Sequence, residues 1–336
     1  MITAVSETES LPIRWGIIGA GGIATTVADD IGLSDGSVVG AVASRDGARA
    51  SEFAARHGAA RSYRSYDDLV DDDEIDVVYV ATTHPNHRAH ALLAINAGKP
   101  VLIEKPVCLN ARHAREVFEA AERRKVFAME AMWMRTNPLI RRARELIDDG
   151  VIGEVRGLRN EFGLGHPFDA AHRLYDLHNG GGALLDLGVY PVTFAYLFLG
   201  RPDEVRTFGT LASTGVDDAV AMQWLYGSEP RAQLWCSLSI DAPNEAAILG
   251  TGGWIAFAAP AFRPRGLVVH NRDTHYGIDD LLAGQGHGYG SEIAEVERCL
   301  RAGLLESPLV PHADTIAVLE LLDRARADLG VRYPSE

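Results

Sequence analysis

Short apolar runs alternate with segments of helical spacing over about the first 130 residues of the chain. The apolar runs are mostly β-branched and bounded by Gly, Pro or charged residues, as in strands covered on both faces; they are Arg14–Ile18, Val38–Ala43, Val77–Ala81, Val101–Ile103 and Val126–Met129. Helical spacing of apolar residues fills the intervals, over Ile23–Ile31, Ala48–His57, Tyr66–Val70, His87–Ala97 and Ala111–Arg124. Strands that alternate with helices predict a doubly wound parallel sheet.

The pattern changes near residue 130 to partial two-residue alternation interrupted by turns, which predicts a mostly antiparallel sheet. The predicted strands are Glu154–Phe162, Glu204–Leu211, Ala219–Tyr226, Arg231–Ile240, Ala246–Gly250, Trp254–Ala258 and Leu267–Asn271. Four segments are predicted to be helices: Asn137–Asp148, Gly181–Leu199, Ser291–Ala302 and Asp314–Asp328.

We therefore predict an α/β protein with two domains. Residues 12–130 form the doubly wound domain, and residues 131–336 form an α+β domain with an open sheet for substrate binding and oligomerisation. The last helix is expected to be able to pack back on the first domain. Residues 1–11 are expected to form a flexible leader.

Composition narrows the class of protein. The 336 residues carry a net charge of −14, which disfavours nucleic acid and anionic membranes as partners. The sequence contains no run of eighteen apolar residues, so no membrane span is predicted. The N-terminus lacks the features of a secretory signal. Three dispersed cysteines (Cys108, Cys236 and Cys299) are interpreted as ordinary thiols in a reducing compartment. We expect a cytoplasmic protein.

A glycine-rich turn follows the first predicted strand. The sequence Gly19-Ala20-Gly21-Gly22-Ile23-Ala24 has the G-x-G-x-x-A spacing and opens a helix. Gly19 allows a tight turn, Gly21 allows backbone N–H groups to approach a pyrophosphate, and Ala24 allows the helix to pack closely on the strand. The sequence predicts a Rossmann domain that binds a dinucleotide at this turn, including Gly22 and Ile23.

The end of the second predicted strand indicates which dinucleotide is bound. NAD-binding domains usually place an acidic residue there, whereas this strand ends in Ser44-Arg45. A guanidinium suits the 2′-phosphate of NADP, so Ser44 and Arg45 predict NADP. Asp46 keeps NAD open, because its carboxylate is also placed to bind ribose hydroxyls.

Two further segments carry candidate catalytic groups. Val101-Leu102-Ile103-Glu104-Lys105-Pro106 places a lysine just beyond the carboxyl end of a central strand, where ligands bind in open α/β sheets. A glycine turn at 180–182 then opens a helix with Asp186 and Tyr190. Their spacing of four residues predicts that both side chains lie on one helical face.

At this point the chain resembles the Gfo/Idh/MocA oxidoreductases, and within them the dimeric dihydrodiol dehydrogenase branch, near glucose–fructose oxidoreductase. The matching segments are His84-Pro85-Asn86-His87, Gly98 to Pro106, Glu130-Ala131-Met132-Trp133 and Gly303 to Pro308. The resemblance implies that Lys105 and Tyr190 form the catalytic pair with Asp186 beside them. Many relatives carry His in place of Tyr190, so inositol-type activity is less expected. Asp186 either orients the lysine or binds substrate.

The chemistry of this pair is coherent. Hydride transfer at an alcohol also requires movement of the hydroxyl proton, and a free tyrosine has a pKa near 10. We expect the Lys105 ammonium to lower the pKa of Tyr190 into the working range.

The resemblance also implies further cofactor contacts, from His84, Asn86, His87 and Glu104, with His84 in a loop before the helix. His84, His87 and His90 are spaced by three, but zinc needs three or four well-directed ligands, so no metal site is predicted. Candidates for the substrate pocket are Trp133, Phe162, Arg173, Tyr175, Asp176 and His178, with Tyr289 a weaker candidate.

The predicted function is NADP-dependent hydride transfer between the nicotinamide and a vicinal diol, a sugar hydroxyl or the matching carbonyl. Tyr190 is the general acid/base, assisted by Lys105. Dihydrodiols and aldoses are the substrates that the resemblance implies. A keto-sugar reductase or sugar dehydrogenase is the alternative, and a non-catalytic NADP-sensing regulator is the alternative of another class. The family also implies a homodimer formed through the open sheet, with a tetramer left open.

Overall fold

The structure is a computed structural model that describes residues 11–279 and 286–336. Apart from Leu11, the predicted leader lies outside the described residues. Six parallel strands form the first sheet in the order β3-β2-β1-β4-β5-β6. Their bounds are β1 Ile13–Ile18, β2 Ser37–Ala43, β3 Arg61–Tyr63, β4 Val77–Val80, β5 Val101–Glu104 and β6 Ala128–Ala131. The helices between them are α1 Gly22–Ile31, α2 Gly47–His57, α3 Tyr66–Val70, α4 His84–Asn96 and α5 Ala111–Arg124.

This sheet confirms the predicted doubly wound fold, with two local differences. β3 has only three residues, too few to show a periodicity, and was not predicted. β6 begins two residues later than predicted, because the chain leaves α5 through Lys125 in the left-handed conformation (φ 55°). The amide of Val126 then bonds to the carbonyl of Ala121 rather than to a neighbouring strand.

The second sheet has eight strands in the order β14-β13-β12-β11-β7-β10-β9-β8. All neighbouring pairs are antiparallel except β7 with β10, which confirms a mostly antiparallel sheet. The strands are β7 Val155–Gly163, β8 Glu204–Leu211, β9 Asp217–Tyr226, β10 Glu229–Ser237, β11 Ala246–Gly250, β12 Gly253–Phe257, β13 Gly266–Asn271 and β14 His275–Asp279. β14 was not predicted; its side chains are largely exposed and give no amphipathic signal.

Helices cover one face of the second sheet. They are α6 Pro138–Asp148, α7 Val189–Leu199 and α9 His312–Leu329, while α8 Gly290–Arg301 packs beside α1. The opposite face is open and displays Phe208 with 69% of its surface exposed. Segment Leu177–Leu199 is long and apolar enough to cross a membrane by length and composition alone. However, 78% of its most apolar window is buried inside the fold, as in the central helix of a globular domain.

The last helix, α9, lies against α5 of the first domain. Asp323 accepts a hydrogen bond from the amide of Ala111 at 2.9 Å, at the start of α5. Thr315 donates to the buried Glu130 at 3.1 Å. The three cysteines are free thiols and all are buried, in agreement with the sequence interpretation.

Candidate active site

A cavity of about 720 Å³ lies at the carboxyl end of the first sheet, between the glycine turn and the second domain. It brings together most of the residues that the sequence nominated. Those that line it are Gly19, Gly21, Gly22, Ile23, Arg45, His84, Asn86, Glu104, Lys105, Trp133, Phe162, Arg173, Asp186 and Tyr190. Tyr289, the weaker candidate, also lines it.

The glycine turn has the geometry of a phosphate-binding turn. Gly19 has a φ of 101°, and a Cβ there would lie 2.8 Å from the carbonyl oxygen of Ala81. At Gly21 and Gly22, a Cβ would meet no heavy atom within 4 Å, so their backbone faces open space in the cavity. The first helical hydrogen bond runs from Thr25 to Gly21, which leaves the earlier amides at the positive end of the helix for an anion. These features fit the pyrophosphate of a dinucleotide.

Arginines surround the far end of this cavity. Arg45 lines both the main cavity and an adjoining open pocket of about 850 Å³ that also contains Arg64, Ser51 and Ser62. Arg49, one helical turn along α2, lines the main cavity. In the described ranges, none of the three guanidinium groups lies within ion-pair distance of a carboxylate. Arg49 and Arg64 were missed because neither lies in a recognisable motif.

Asp46 is occupied in another way. Its carboxylate caps α2 by accepting hydrogen bonds from the amides of Ala48 and Arg49, at 3.0 and 3.3 Å. The Asp46 carboxylate is therefore already bonded to backbone donors, whereas the Arg45 guanidinium has no carboxylate partner among the described residues.

Five nominated residues do not line the cavity: Ser44, His87, Tyr175, Asp176 and His178. The contacts of Ser44, His87 and Asp176 explain why. Ser44 is buried, and its hydroxyl accepts from the amide of Asp46 at 3.3 Å. His87 is fully buried, with each ring nitrogen 2.9 Å from a carbonyl oxygen, of Thr82 or Pro106. Asp176 accepts from the amide of His178 at 2.8 Å and so stabilises a 3-10 turn. All three act in local structure.

His84 lies in the first turn of α4, so the prediction of a loop at this position was wrong. Thr83 is the N-cap, and Pro85 is compatible with the helix because first-turn amides have no helical acceptor. Burial lowers the pKa of His84 to about 3, which leaves the imidazole neutral. Its Nδ1–H donates to the carbonyl of Gly180 at 3.0 Å. His84 thus connects α4 to the turn that carries the catalytic candidates.

Asp186 is buried and lies at the centre of a cluster of polar groups, in which His84 is neutral and Arg173 is exposed. Its Oδ1 lies 3.6 Å from Lys105 Nζ, 3.6 Å from His84 Nε2 and 3.2 Å from a guanidinium nitrogen of Arg173. Burial alone would raise the pKa of this carboxyl, but Lys105, Arg173 and His84 together hold it well below its usual value. Lys105 also donates to the backbone carbonyl of Asp186 at 2.7 Å. This geometry supports Asp186 as the group that orients the lysine.

The segment that carries Asp186 is a π-helical turn, Leu184–Gly188, ahead of α7. The amide of Leu184 bonds to the buried carboxylate of Asp217 on β9 at 2.5 Å, rather than to a carbonyl of the preceding turn. Just before it, the carbonyl of Gly181 accepts from the hydroxyl of Tyr333 at 2.7 Å. Both Asp186 and Tyr190 line the cavity, but the turn is wider than the α-helix that the spacing predicted.

Tyr190 lies at the base of the cavity, and its environment differs from the expectation. Lys105 Nζ is 5.0 Å from the centroid of the tyrosine ring, over its face rather than at its hydroxyl. Burial, and then the nearby Glu104, raise the pKa of Tyr190 well above 10. The expectation that Lys105 lowers the pKa of Tyr190 is wrong for this arrangement. The phenol is protonated, and its oxygen accepts from Trp133 Nε1 at 2.8 Å.

Glu104 lies beneath Lys105 and accepts a hydrogen bond from the hydroxyl of Tyr79 at 2.7 Å. Burial raises the pKa of Glu104 to about 7, even though Lys105 favours the ionised form. Burial therefore favours the protonated form of this carboxyl.

Aromatic side chains form one wall of the cavity. Trp133 stacks on Tyr289 with ring centroids 4.5 Å apart, and Phe162 stacks on Phe262 at 4.2 Å. Tyr190 lies 5.4 Å from the Phe262 ring. Phe262 and Asn179 also line the cavity, but they were not predicted because neither is part of a motif. The site combines an apolar wall with buried, fixed charges, which suits an uncharged substrate with polar groups at one edge. In the described part of the chain, no group of three His, Cys, Asp or Glu side chains is placed to hold a metal ion.

Comparisons with known proteins identify the family of this chain. A profile described as the oxidoreductase family with an NAD-binding Rossmann fold matches residues 13–132, and the GFO/IDH/MocA C-terminal domain matches residues 140–256. The trans-1,2-dihydrobenzene-1,2-diol dehydrogenase of Mus musculus is 39% identical, and that of Danio rerio 37% identical. Each alignment covers 97% of this chain and 99% of the relative.

Two solved structures have the same architecture. A 3-ketoreductase from Actinomadura kijaniata, in complex with NADP and TDP-benzene, is 26% identical with a TM-score of 0.82, covering 94% of this chain and 97% of that chain. An aldose-aldose oxidoreductase from Caulobacter crescentus has a TM-score of 0.84 at 22% identity, covering 94% and 98%. The second likeness is one of fold.

Proposed function

We propose that this chain, which belongs to the Gfo/Idh/MocA family of oxidoreductases, interconverts a vicinal diol or sugar hydroxyl and its carbonyl with NADP, using Tyr190 and Lys105. The predicted family, the dehydrogenase chemistry at a CH–OH group and the nicotinamide dinucleotide are confirmed by the matches. The observation that carries the finer proposal is a single cavity that holds the glycine turn together with Lys105, Asp186 and Tyr190.

The nicotinamide supplies or accepts the hydride, and the protein handles the accompanying proton. Trp133 donates to the oxygen of Tyr190, so the tyrosine's own O–H is free to donate to a substrate oxygen. Because its pKa is raised, Tyr190 keeps this proton until an oxygen atom gains negative charge beside it. In the opposite direction Tyr190 can receive the alcohol proton only as the phenolate, a form that its raised pKa disfavours.

Lys105 supplies positive charge at the reacting oxygen. One of its three N–H groups is held by the carbonyl of Asp186 at 2.7 Å, and two others remain for a substrate or ribose hydroxyl. A fixed ammonium in a site that excludes water stabilises a developing alkoxide more than it would in solution. Asp186 is the positioning residue that fixes it.

NADP rather than NAD is supported by three arginines at the far end of the cavity, none of which is paired with a carboxylate among the described residues. Arg45 borders both pockets there, while the competing Asp46 is committed to capping α2. A phosphate dianion is a strong partner for guanidinium groups. The 3-ketoreductase of similar fold was crystallised with NADP.

The substrate is an aromatic trans-dihydrodiol or an aldose, as the wall of Trp133, Tyr289, Phe162 and Phe262 supports. A sugar or a planar ring presents an apolar face to such a wall and its hydroxyls to Lys105 and Tyr190. The alternative is a keto-sugar reductase, which the similarity to the 3-ketoreductase favours. The non-catalytic regulator is disfavoured because Lys105 and Tyr190 are both present in the cavity.

We also propose a homodimer in the cytoplasm. The open face of the second sheet forms a groove of about 500 Å³ that includes the exposed Phe208 together with Trp235. The same face carries Arg159 and Glu245, so a twofold-related copy matches it in charge as well as in apolar area.

The experiment is an assay at 340 nm with purified protein and either NADP or NAD. The panel holds a trans-dihydrodiol, xylose, glucose, an inositol and keto-sugars for the reverse direction. Tyr190→Phe and Lys105→Ala are expected to lower kcat/KM by about 10²- to 10⁴-fold, the usual contribution of a general acid/base. Their affinity for NADPH, measured by fluorescence, is expected to change much less.

Tyr226→Phe is the matched control, because it removes a tyrosine hydroxyl bonded to a carbonyl outside the cavity. Equal activity of wild type and Tyr190→Phe would contradict the assigned proton donor. No turnover with any member of the panel, with NADPH still bound, would favour the regulator.

A further inference from the structure

One carboxylate of the first domain holds the backbone of the second. Asp30, near the end of α1, is only 3% exposed. Its Oδ1 accepts from the amide of His287 at 2.7 Å, and its Oδ2 accepts from the amide of Tyr289 at 2.7 Å. Each oxygen of this buried carboxylate thus accepts a hydrogen bond from a backbone amide, and the two amides are two residues apart in one short segment.

That segment, 286–289, is built to approach α1 closely. Gly286 and Gly288 have positive φ angles of 56° and 105°. A Cβ on Gly286 would collide with the Asp30 carboxylate, and one on Gly288 would lie 2.6 Å from Arg263 Nε and 3.1 Å from the Trp133 ring. Because side chains are excluded at both positions, the backbone lies directly between α1 and the aromatic wall.

The bonds from Asp30 determine where the Tyr289 ring lies. Tyr289 lines the cavity and stacks on Trp133, which in turn donates to the hydroxyl of Tyr190. A continuous set of contacts therefore runs from the helix of the glycine turn to the proton donor. The assignment of this wall to a substrate rests on the proposed function.

A second contact between the same two domains provides a comparison. Glu297, on α8, accepts from the hydroxyls of Ser34 and Ser37 at 2.7 and 2.6 Å. This contact joins α8 to Ser34, in the connection after α1, and to Ser37, the first residue of β2, but it does not involve the amides of 287 or 289.

We propose that Asp30 is a positioning residue for the substrate wall: by holding the amides of His287 and Tyr289, it fixes the Tyr289 ring against Trp133 and so sets the affinity for ring-shaped substrates. Asp30 acts through Tyr289 and does not touch the substrate. The helix that binds the pyrophosphate thereby also fixes one wall of the substrate pocket.

Amide hydrogen exchange tests the structural half of this proposal without any turnover. In Asp30→Asn, one acceptor is replaced by an NH₂ group that faces an N–H donor, so a bond is lost and a repulsion appears. Exchange in a peptide that spans 286–290 is expected to accelerate at least tenfold. Ser34→Ala, the matched control, is expected to leave that peptide unchanged. Unchanged exchange in Asp30→Asn would overturn the proposal, whether or not the protein turns over any diol or sugar.

Kinetics test the functional half. For the best ring-shaped substrate, Asp30→Asn is expected to raise KM about tenfold while kcat changes less than threefold, and Ser34→Ala is expected to change neither. In a double-mutant cycle, Asp30→Asn is expected to raise KM less than twofold once Tyr289→Leu is present, because both changes remove the same contact. Fully additive effects would show that Asp30 does not act through Tyr289. Absence of turnover in the wild type would contradict the proposed function and leave the exchange result to decide on Asp30.

Discussion

The two ends of the cleft hold charge in opposite ways. At the cofactor end, helix amides and three arginines stand without carboxylate partners among the described residues, and Arg45 is exposed. At the catalytic end, Lys105 and Arg173 already share the carboxylate of Asp186, which is 6% exposed. The first end is left for a ligand that brings its own negative charge. At the second end, the carboxylate of Asp186 offsets only one of the two positive charges, so one positive charge is held in place before any substrate arrives.

The difference follows from what each end has to do. Binding a phosphate requires donors that water can leave at low cost, so exposed guanidinium groups are suitable. Stabilising charge that develops only during a reaction requires groups held in place beforehand, in a region of low dielectric. The buried charges of the catalytic end are stable only because they are paired.

The largest expected effect comes from Glu104 and tests whether the catalytic end is a region of low dielectric. Glu104 is a buried carboxyl whose pKa is raised to about 7 from an ordinary value of 4.5. The protonated form is favoured by folding, so its contribution to stability is complete below pH 4.5 and is lost as the pH rises through 7. The wild type loses this contribution as the pH rises, whereas Glu104→Gln does not. From pH 4 to pH 8, the free energy of unfolding of Glu104→Gln is therefore expected to rise by about 3 kcal/mol relative to that of the wild type.

Urea unfolding of the cofactor-free protein at several pH values measures this gain. Glu119→Gln, a change at an exposed carboxyl on α5, is expected to show no such trend. A difference between Glu104→Gln and the wild type that does not vary with pH would mean that Glu104 titrates normally and that the catalytic end is wetter than its burial indicates.

Arg45 sharpens the comparison from the cofactor end. Arg45→Ala is expected to raise the KM for NADP by about 10- to 100-fold, the size of one or two charge-assisted hydrogen bonds, and to leave the KM for NAD nearly unchanged. Arg61→Ala is the matched control, since this nearby arginine is already paired with Asp72 at 2.7 Å. An equal loss for NADP and NAD would show that Arg45 binds a part common to both dinucleotides.

Tyr333 gives the smallest expected effect and tests how firmly the catalytic end is held. Its hydroxyl bonds to the carbonyl of Gly181 at 2.7 Å, ahead of the π-helical turn that carries Asp186. Tyr333→Phe is expected to lower kcat about 5- to 10-fold with little change in KM, as the loss of one buried hydrogen bond would do. Tyr226→Phe removes an equivalent bond to Gly200 at the other end of α7 and is expected to leave kcat unchanged. If both variants lowered kcat equally, the Tyr333 hydrogen bond would contribute only to general stability and not to the position of Asp186.

The same two ends differ in how far the sequence could predict them. At the cofactor end, the glycine turn and Ser44-Arg45 are each a short continuous segment that follows a strand with a clear pattern. A local motif therefore indicated both the fold and the ligand. Ser44 was predicted to contact the cofactor, but it does not line the cavity, and only the structure shows that its hydroxyl bonds to the amide of Asp46.

The catalytic end is assembled from residues far apart in the chain. Lys105 and Tyr190 were nominated through the family resemblance, and both line the cavity. Phe262 and the contacts of Asp30 could not be predicted, since they depend on how the two domains pack together. The sign of the pKa shift of Tyr190 was wrong for the same reason: burial and the distance to Lys105 are properties of the tertiary structure.

The packing of α9 on α5 has a consequence for synthesis. The ribosome releases the glycine turn and all six strands of the first sheet before it has made the second half of the protein. The residues that satisfy the Ala111 amide and contact Glu130, however, are Asp323 and Thr315, within the last 25 residues of the chain. In the nascent chain, one flank of α5 therefore stays exposed until α9 has been synthesised and packs against it. Chains that terminate before α9 would lack this closure, and the exposed flank of α5 is expected to make them prone to aggregation.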